Sequence, residues 1–420
     1  MIIRIDPATM STRDDRRGEA MSETSATEPR RRPRNRKSQI LVAAAEAFSE
    51  RGYHPVGIED IAATVGISGP ALYRHFPTKY SLFVDTVMRM TDSLVAATDP
   101  AVIDPVVDDV EDPQSRIDAV IGAIIATTID NRRTGGLYRW EGRYLVGSDR
   151  EYLRRALRTV HERVTVPLRQ LRPDLSEADA ALLATASISV VASITAHRSA
   201  LSAKQIEESM LAAARSVLRT ELPQQGSESP HRDCVLEHAS KREELLHHSI
   251  RLFYLHGYHE VGLDDIGAAA SITASSVYRY FPSKAELLEA ALHRANAQLT
   301  DTLAGALEQS NCPVDAVRTF ARLYTELTFR QGELVAVYFA EIGNLPADRR
   351  ATLRRIQRHN VDGWAQLLRE ARPNTSVVVS RFLIHAALGL VFDVGRTVRF
   401  ERSDRTMARV QQTMTAVLLG

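Results

Sequence analysis

Cysteine is nearly missing from the sequence: Cys234 and Cys312 are the two thiols in 420 residues. Such a pair cannot build a disulfide framework and points to a reducing compartment. Long apolar runs are also missing. The longest candidate, residues 181–196, is rich in Ser and Thr and falls short of the ~20 residues of a membrane span, so it reads as a buried helix with close neighbours. No secretory signal precedes the first amphipathic segment, so the expected location is the cytoplasm, with no membrane partner. Net charge is only +1, from 53 basic and 52 acidic residues, which excludes polyanion binding by bulk charge; a nucleic-acid surface must be local. Gly-x-Ser-x-Gly, Gly-x-Gly-x-x-Gly, phosphate-loop and His-Glu-x-x-His motifs are absent, which argues against an enzyme, and no catalytic residue or cofactor is expected. Acidic pairs such as Glu59-Asp60 read as surface charge or helix capping. His231, Cys234 and His238 are spaced loosely like metal ligands, but a tight frame with a fourth ligand is lacking, so no metal is expected. Strand signals are absent too. The one β-branched cluster, Val377 to Val379, lies inside a helical pattern, and the fold class is expected to be all-α.

What is present is a compact pattern at 37–87. Ile40, Ala44 and Phe48 recur at helical spacing, so 36–51 reads as an amphipathic helix ended by Gly52. Ile58 to Val65 is a second helix, with Ile61, Ala62 and Val65 on one face. Gly66-Ile67-Ser68 is a tight turn, and Ser68 can cap a third helix that runs to His75 or Phe76. Pro77 stops that helix and Thr78 caps the next. Two short helices joined by a Gly-containing turn form the arrangement that reads DNA, with the later helix in the major groove.

The pattern returns 205 residues later. Residues 52–84 and 257–289 share 15 identities in 33 positions, among them Gly52-Tyr53-His54 with Gly257-Tyr258-His259, and Tyr73-Arg74-x-Phe76-Pro77-x-Lys79 with Tyr278-Arg279-x-Phe281-Pro282-x-Lys284. Farther on, Arg172-Pro173 matches Arg372-Pro373, so the duplication reaches the C-terminal helices. A period this long marks a duplicated domain, not a solenoid.

Taken in order, the expected organisation is a disordered tail at 1–28, a basic arm at 29–36, a first head at 37–87, a first ligand and bundle domain at 88–222, a linker at 223–239, a second head at 240–292 and a second ligand and bundle domain at 293–420. The arm and its edge carry Arg30, Arg31, Arg32, Arg34, Arg36 and Lys37 with no acid. Such a run is either a solvated tail or, beside a helix-turn-helix, an arm on phosphates or in the minor groove. After the first head the expected elements are a loop at 98–113 and helices at 137–146, 149–171, 177–197 and 204–222; the second half is expected to place helices near 313–331, 333–343, 347–371, 375–399 and 403–419.

Both repeats resemble the DNA-binding domain of TetR-type transcriptional regulators: a helix, Gly-Tyr, an Asp-Ile-Ala-like second helix, then Tyr-Arg-x-Phe-Pro-x-Lys. The whole chain resembles the two-unit members of that family. Its basic arm and Arg143-Tyr144-Leu145 are most similar to repressors of mycobacterial mce lipid-import operons. The resemblance implies an all-α unit with a three-helix reader and a helical ligand and dimer domain, the fourth helix passing ligand occupancy to the reader. It also implies a four-helix bundle from 177–199, 204–222, 375–399 and 403–419. The implied partners are double-stranded operator DNA and a small apolar effector of lipid, sterol or acyl type. One chain would form a pseudo-dimer, with a homodimer as the alternative.

Residue by residue, Ser68, Gly69 and Pro70 in the first head, and Thr273, Ala274, Ser275 and Ser276 in the second, open the reading helices and lie nearest to base edges. Tyr73, Arg74 and His75, and Tyr278, Arg279 and Tyr280, follow at the helix end, where the phenols of Tyr73 and Tyr278 can donate to a phosphate; the competing reading of those two is half-buried core. Lys79 and Lys284 sit at a helix N-terminus suited to phosphate, or else are solvated surface. Trp140, Tyr144, Phe329, Tyr338, Phe339 and Trp364 are either plain core or the lining of an apolar cavity. The chain departs from the family at Val56-Gly57 and Val261-Gly262, where Thr or Ser often opens the second helix, and at Gly69 and Ala274, where Lys is frequent. Ser271 replaces the turn Gly66. If that position is left-handed, the Ser costs roughly 1 kcal/mol.

Overall fold

The computed structural model describes residues 36–107, 112–226 and 240–420. The tail, Arg30, Arg31, Arg32 and Arg34 of the arm, and His231, Cys234 and His238 of the linker lie outside the described residues. Among the described residues every regular element is helical.

Local chemistry sets the first head. Helix α1 (Arg36–Arg51) buries Ile40, Ala44 and Phe48 on one stripe. Helix α2 (Ile58–Val65) starts at Gly57, which has no side chain to cap with; the Asp60 carboxylate instead accepts the Gly57 N–H at 3.1 Å, half of a capping box. Gly66 then turns left-handed at φ 70°. Ser68 caps α3 (Gly69–Tyr73), accepting from the Ala71 N–H at 3.4 Å. Pro77 ends the turn that follows, and Thr78 and Ser81 exchange caps at the start of α4 (Lys79–Ala97). The reading helix is shorter than the sequence suggests, because residues 74–76 continue only as a turn.

A short α5 (Pro100–Ile103) lies in the expected loop, capped by Asp99. Helices α6 (Pro113–Asp130), α8 (Gly147–Leu171), α9 (Glu177–Ala192) and α10 (Ala203–Leu218) complete the first unit. Helix α8 runs through Pro167 and stops before Pro173. The expected helix at 137–146 is instead one helical turn, α7 (Leu137–Trp140), followed by a 3-10 turn at Glu141–Tyr144. The break is explained by Glu141, whose carboxylate turns inward to accept the Tyr53 N–H at 2.7 Å.

The second unit repeats the plan with α11 (Lys241–His256), α12 (Leu263–Ala269), α13 (Ala274–Val277), α14 (Lys284–Glu308), α15 (Pro313–Arg330), α16 (Gly332–Glu341), α17 (Ala347–Ala371), α18 (Val377–Thr397) and α19 (Asp404–Leu419). The turn residue Ser271 takes φ 57°, the left-handed conformation that its Gly66 counterpart adopts freely.

Side chains gather into three cores. One fills the first head around Phe48, Leu72, Phe76 and Phe83; another fills the second around Phe253, Val277, Phe281 and Leu288. The third is shared: Ile121, Val190 and Val217 of the first half pack in one cluster with Phe320, Phe382 and Val417 of the second. At its centre α9 packs on α18 and α10 on α19, so the two helix pairs form one bundle inside a single chain. Small residues on the α9 and α18 faces, including Ala180, Ala184, Ala386 and Ala387, let the axes come close. Lys37–Gly420 is accordingly one compact unit. Residues 177–195 and Val377–Thr397 are long and apolar enough to cross a membrane, contrary to the sequence expectation; Arg381 and His385 interrupt the second run. Both are the central, mostly buried helices of this bundle.

Candidate DNA-reading heads and the seam between them

Each reading helix presents its outer face to solvent. Ser68, Pro70, Tyr73, Arg74 and His75 are exposed in the first head, and Gly69 is half-buried against Glu59. In the second head Thr273, Ser275, Tyr278, Arg279 and Tyr280 are exposed, with Ala274 and Ser276 half-buried. Tyr73 and Tyr278 stand 45% and 55% exposed, so neither is the half-buried core residue of the competing reading. Beneath them Ile61, Leu72 and Phe76, and Ile266, Val277 and Phe281, are buried, while Val65, Ile67 and Ile272 are half-buried. The two reading surfaces differ in kind. The first opens with Ser68, Gly69 and Pro70 and so carries one hydroxyl; the second carries three, with the Thr273 hydroxyl 2.9 Å from that of Ser275 and 3.0 Å from that of Ser276.

Lys37 lies beside the first head, paired with Asp85 at 3.0 Å and above the Phe76 ring, yet still mostly exposed. Lys79 and Lys284 depart from the expectation. Their ammonium groups turn into the head instead of toward solvent. Lys79 Nζ donates to the His54 carbonyl at 2.9 Å and sits 4.5 Å from the Tyr53 ring centre. Lys284 Nζ donates to the Tyr258 and Val261 carbonyls, both at 2.7 Å, over the Tyr258 ring. Burial lowers both lysines below the ordinary range. The cause is geometric: the junction between the first two helices of each head ends in free carbonyls, and a lysine at the start of the fourth helix is placed to cap them.

Those junctions meet across the pseudo-twofold. The His54 and His259 rings stack at 4.8 Å. The Tyr53 N–H donates to Glu141 at 2.7 Å, and the Tyr258 N–H to Glu341 at 3.1 Å. Arg143 reaches from the first unit to Glu341 of the second at 2.8 Å, where the carboxylate is fully buried. Tyr144 belongs here and not to a cavity: its ring lies 4.6 Å from that of His54, and its hydroxyl, which accepts from Arg143, abuts Gly257. Burial raises Glu141 to about 7, against the Tyr53 N–H and Arg143, and lowers His54. Deeper in the same interface Arg139 pairs with Asp393, which also accepts from the Ser189 hydroxyl at 2.5 Å. The repeat of Glu141 at Glu341, 200 residues apart, was a legible signal of this seam; the Arg139–Asp393 pair carried none.

The remaining expected lining residues divide. Tyr338, Phe339 and Trp364 share the wall of a cleft of about 40 Å³ among α14, α15, α16, α17 and α18. Trp140 stays behind it, stacked on Phe339 at 4.8 Å, and Phe329 packs edge-on against Phe400 at 5.9 Å. These corrections have one source: aromatic volume placed by helical spacing fills whichever interface its helix faces.

Comparison with known proteins matches the family described as bacterial regulatory proteins, tetR family, at residues 40–86 and again at 245–291. The HTH-type transcriptional activator FasR of Mycolicibacterium smegmatis is 41% identical over 83 residues, covering 20% of this chain and 38% of that protein. The nucleoid occlusion factor SlmA of Vibrio atlanticus is 30% identical over 141 residues, covering 33% of this chain and 68% of that one. The chain thus spans little over a third of the length of the FasR relative. Among solved structures, a TetR-family transcriptional regulator from Bordetella parapertussis aligns with 21% identity and a TM-score of 0.40, covering 44% of this chain and 96% of that one. With both heads matched in sequence, this chain belongs to the tetR family of bacterial regulatory proteins.

Proposed function

We propose that the protein is a sequence-specific DNA-binding transcriptional regulator in which one chain supplies both reading heads, and that it acts as a repressor released by a small apolar effector of lipid, sterol or acyl type. The observation that carries this reading is the common core: helices of both halves bury one another, as two subunits do in a two-fold dimer, while both reading helices stay exposed. The exposed set Ser68, Gly69, Pro70, Tyr73, Arg74 and His75 would meet one half-site, and Thr273, Ala274, Ser275, Ser276, Tyr278, Arg279 and Tyr280 the other. Unlike side chains prefer unlike bases, so the operator would be non-palindromic. Lys37 and the arm residues would add phosphate contacts. For Lys79 and Lys284, the helix N-terminus is the better phosphate donor, since each ammonium is engaged inside its head.

A route for release runs along α16. Tyr338 and Phe339 line the cleft, and Glu341 at the end of the same helix holds Tyr258 of the second head and Arg143 of the first unit. A ligand that moves α16 would shift that tie, by no more than its differential affinity for the two arrangements. A second reading, a ligand-independent architectural DNA-binding protein, is favoured by the cleft's size: about 40 Å³, against the roughly 300–1,000 Å³ of established ligand sites.

Selection of bound genomic fragments, followed by footprinting and the mass of the complex, tests the proposal. A single chain on one asymmetric minimal site is expected, upstream of lipid-handling genes if the mce resemblance holds. A perfect palindrome, or two chains on one minimal site, overturns the pseudo-dimer reading. The position of the site relative to the promoter gives the sign of regulation, which matters because the FasR relative is named an activator.

A further inference from the structure

We propose that the cleft of the second unit is built for an uncharged amphiphile whose hydroxyl end enters first. This rests on the effector reading above and narrows it. Three side chains in or beside the wall carry buried polar atoms: Trp364 Nε1 makes no hydrogen bond, and the Tyr338 hydroxyl and the Asn296 amide have only a loose contact with each other. The residues are 1%, 5% and 2% exposed, so solvent does not satisfy these groups from outside. Buried polar atoms are ordinarily fully paired, and this cleft gathers an unpaired indole N–H beside a Tyr–Asn contact that uses only part of its hydrogen-bonding capacity. They comprise donors and an acceptor. A hydroxyl, which donates and accepts, answers both kinds; a hydrocarbon tail answers none.

Charge selects further. None of the residues lining the cleft is ionised at neutral pH; the polar ones are Gln, Asn, Tyr and Trp. A carboxylate or phosphate carried to the Trp364 end would be buried without a countercharge, which is far costlier than burying a hydroxyl. Arg354, one turn before Gln357 on α17, lies outside the wall; its charge reaches the Tyr338 hydroxyl, so the countercharge is lacking at the Trp364 end of the cleft. Gln298, Gln331 and Gln357 are the half-buried polar residues of the wall. The cleft's volume is close to one water's share of liquid, about 30 Å³, so the ligand body must displace part of the wall, the half-buried Phe339 ring being in its path.

The first unit keeps the tyrosine, since Tyr138 corresponds to Tyr338, but lacks the rest of this chemistry. With the registers of the repeat, Trp364 corresponds to Val164, Asn360 to Val160 and Asn296 to Thr91. Val164 and Val160 are 0% and 3% exposed core residues, and the Thr91 hydroxyl is satisfied by the Val87 carbonyl at 3.3 Å. Sensing would therefore belong to the second unit, with the first as its partner.

The test uses the full chain with Trp140→Phe, which leaves Trp364 as the one indole. Octan-1-ol and octanoate are titrated at pH 8 while Trp364 emission is followed. Octan-1-ol is expected to red-shift the emission as the indole N–H gains a partner, and to bind about tenfold tighter than octanoate. Asn296→Leu and, separately, Tyr338→Phe should each remove most of that preference; two variants guard against one failing to fold. Octanoate binding as tightly as octan-1-ol, no binding of either, or a preference untouched by both variants overturns the proposal. Release of operator DNA is measured in parallel: octan-1-ol binding with the expected preference but without release supports the cleft chemistry and refutes the effector reading instead.

Discussion

Ser271 holds φ 57° where its first-head counterpart is Gly66 at φ 70°. A side chain in that conformation costs roughly 1 kcal/mol that glycine does not. Ser271→Gly should stabilise the second head by about that amount, seen as a roughly fivefold slowing of hydrogen exchange for amides of α12 and α13 that open locally. Unchanged protection would mean that the turn relaxes around the Ser. A second residue-scale prediction separates two positions that the sequence treats alike. The Tyr73 hydroxyl is exposed and makes no hydrogen bond among the described residues, so Tyr73→Phe should weaken DNA binding evenly across operator variants and leave the melting temperature unmoved. Lys79→Ala removes the bond to the His54 carbonyl and the contact with the Tyr53 ring, so it should lower head stability as well as binding. Thermal melting beside binding isotherms checks both; a Lys79→Ala protein that melts like wild type would return that ammonium to a purely DNA-facing role. The sequence could place Lys79 at a helix N-terminus but not say which way its four-carbon stem would fold.

Elements from the two halves are tied by buried charge, and these ties were the least legible part of the chain. Periodicity and caps located α1 to α4, the long helices and the repeat, because those signals are local. Arg139 and Asp393 meet across 254 residues, and nothing in either neighbourhood announces it. Asp393→Ala should cost about 3–5 kcal/mol, since it strands a buried guanidinium, whereas replacing both partners by apolar residues of similar size should cost much less. A double-mutant cycle in urea measures the difference; equal losses would show that the pair is solvated. The Glu141 tie adds pH dependence. Its folded value of about 7 lies above the ordinary 4.5, so the folded state holds a proton that the unfolded state releases. The Glu141 contribution is therefore full below about 4.5 and lost as pH rises through about 7. Glu141→Gln, whose amide oxygen can still accept the Tyr53 N–H, should show no such loss. The stability difference, wild type minus variant, should fall across that window and level off above it. His54, held below its ordinary 6.5 by burial first and by His259 and Lys79 next, contributes in the opposite sense, but it is common to both proteins and cancels. A flat difference would mean that Glu141 is ionised throughout.

At the scale of the whole molecule, the covalent link and the packing interface are separable. If the two halves are held as subunits are, the linker sets their stoichiometry but not their association. The packing argues for this: Ile121, Val190 and Val217 share one core with Phe320, Phe382 and Val417, and the Arg409 guanidinium crosses to Asp179 at 3.0 Å with both side chains largely buried. Apolar burial of this kind is characteristic of obligate interfaces, which do not come apart at ordinary concentrations. A protease site introduced between residues 226 and 240, then cut after folding, should give two fragments that co-elute as one species of the parent mass and footprint the same asymmetric operator. Cutting does remove the high effective concentration of one half beside the other, so binding should become concentration-dependent only on strong dilution. Two arms sharpen the reading. Asp393→Ala in the cut protein should promote dissociation that the uncut variant cannot show, because the linker rejoins its halves. A cut wild-type protein that separates at once, with each fragment folded, would mean that the linker and not the bundle holds the heads in register, and a single chain would then read its two half-sites through a tether.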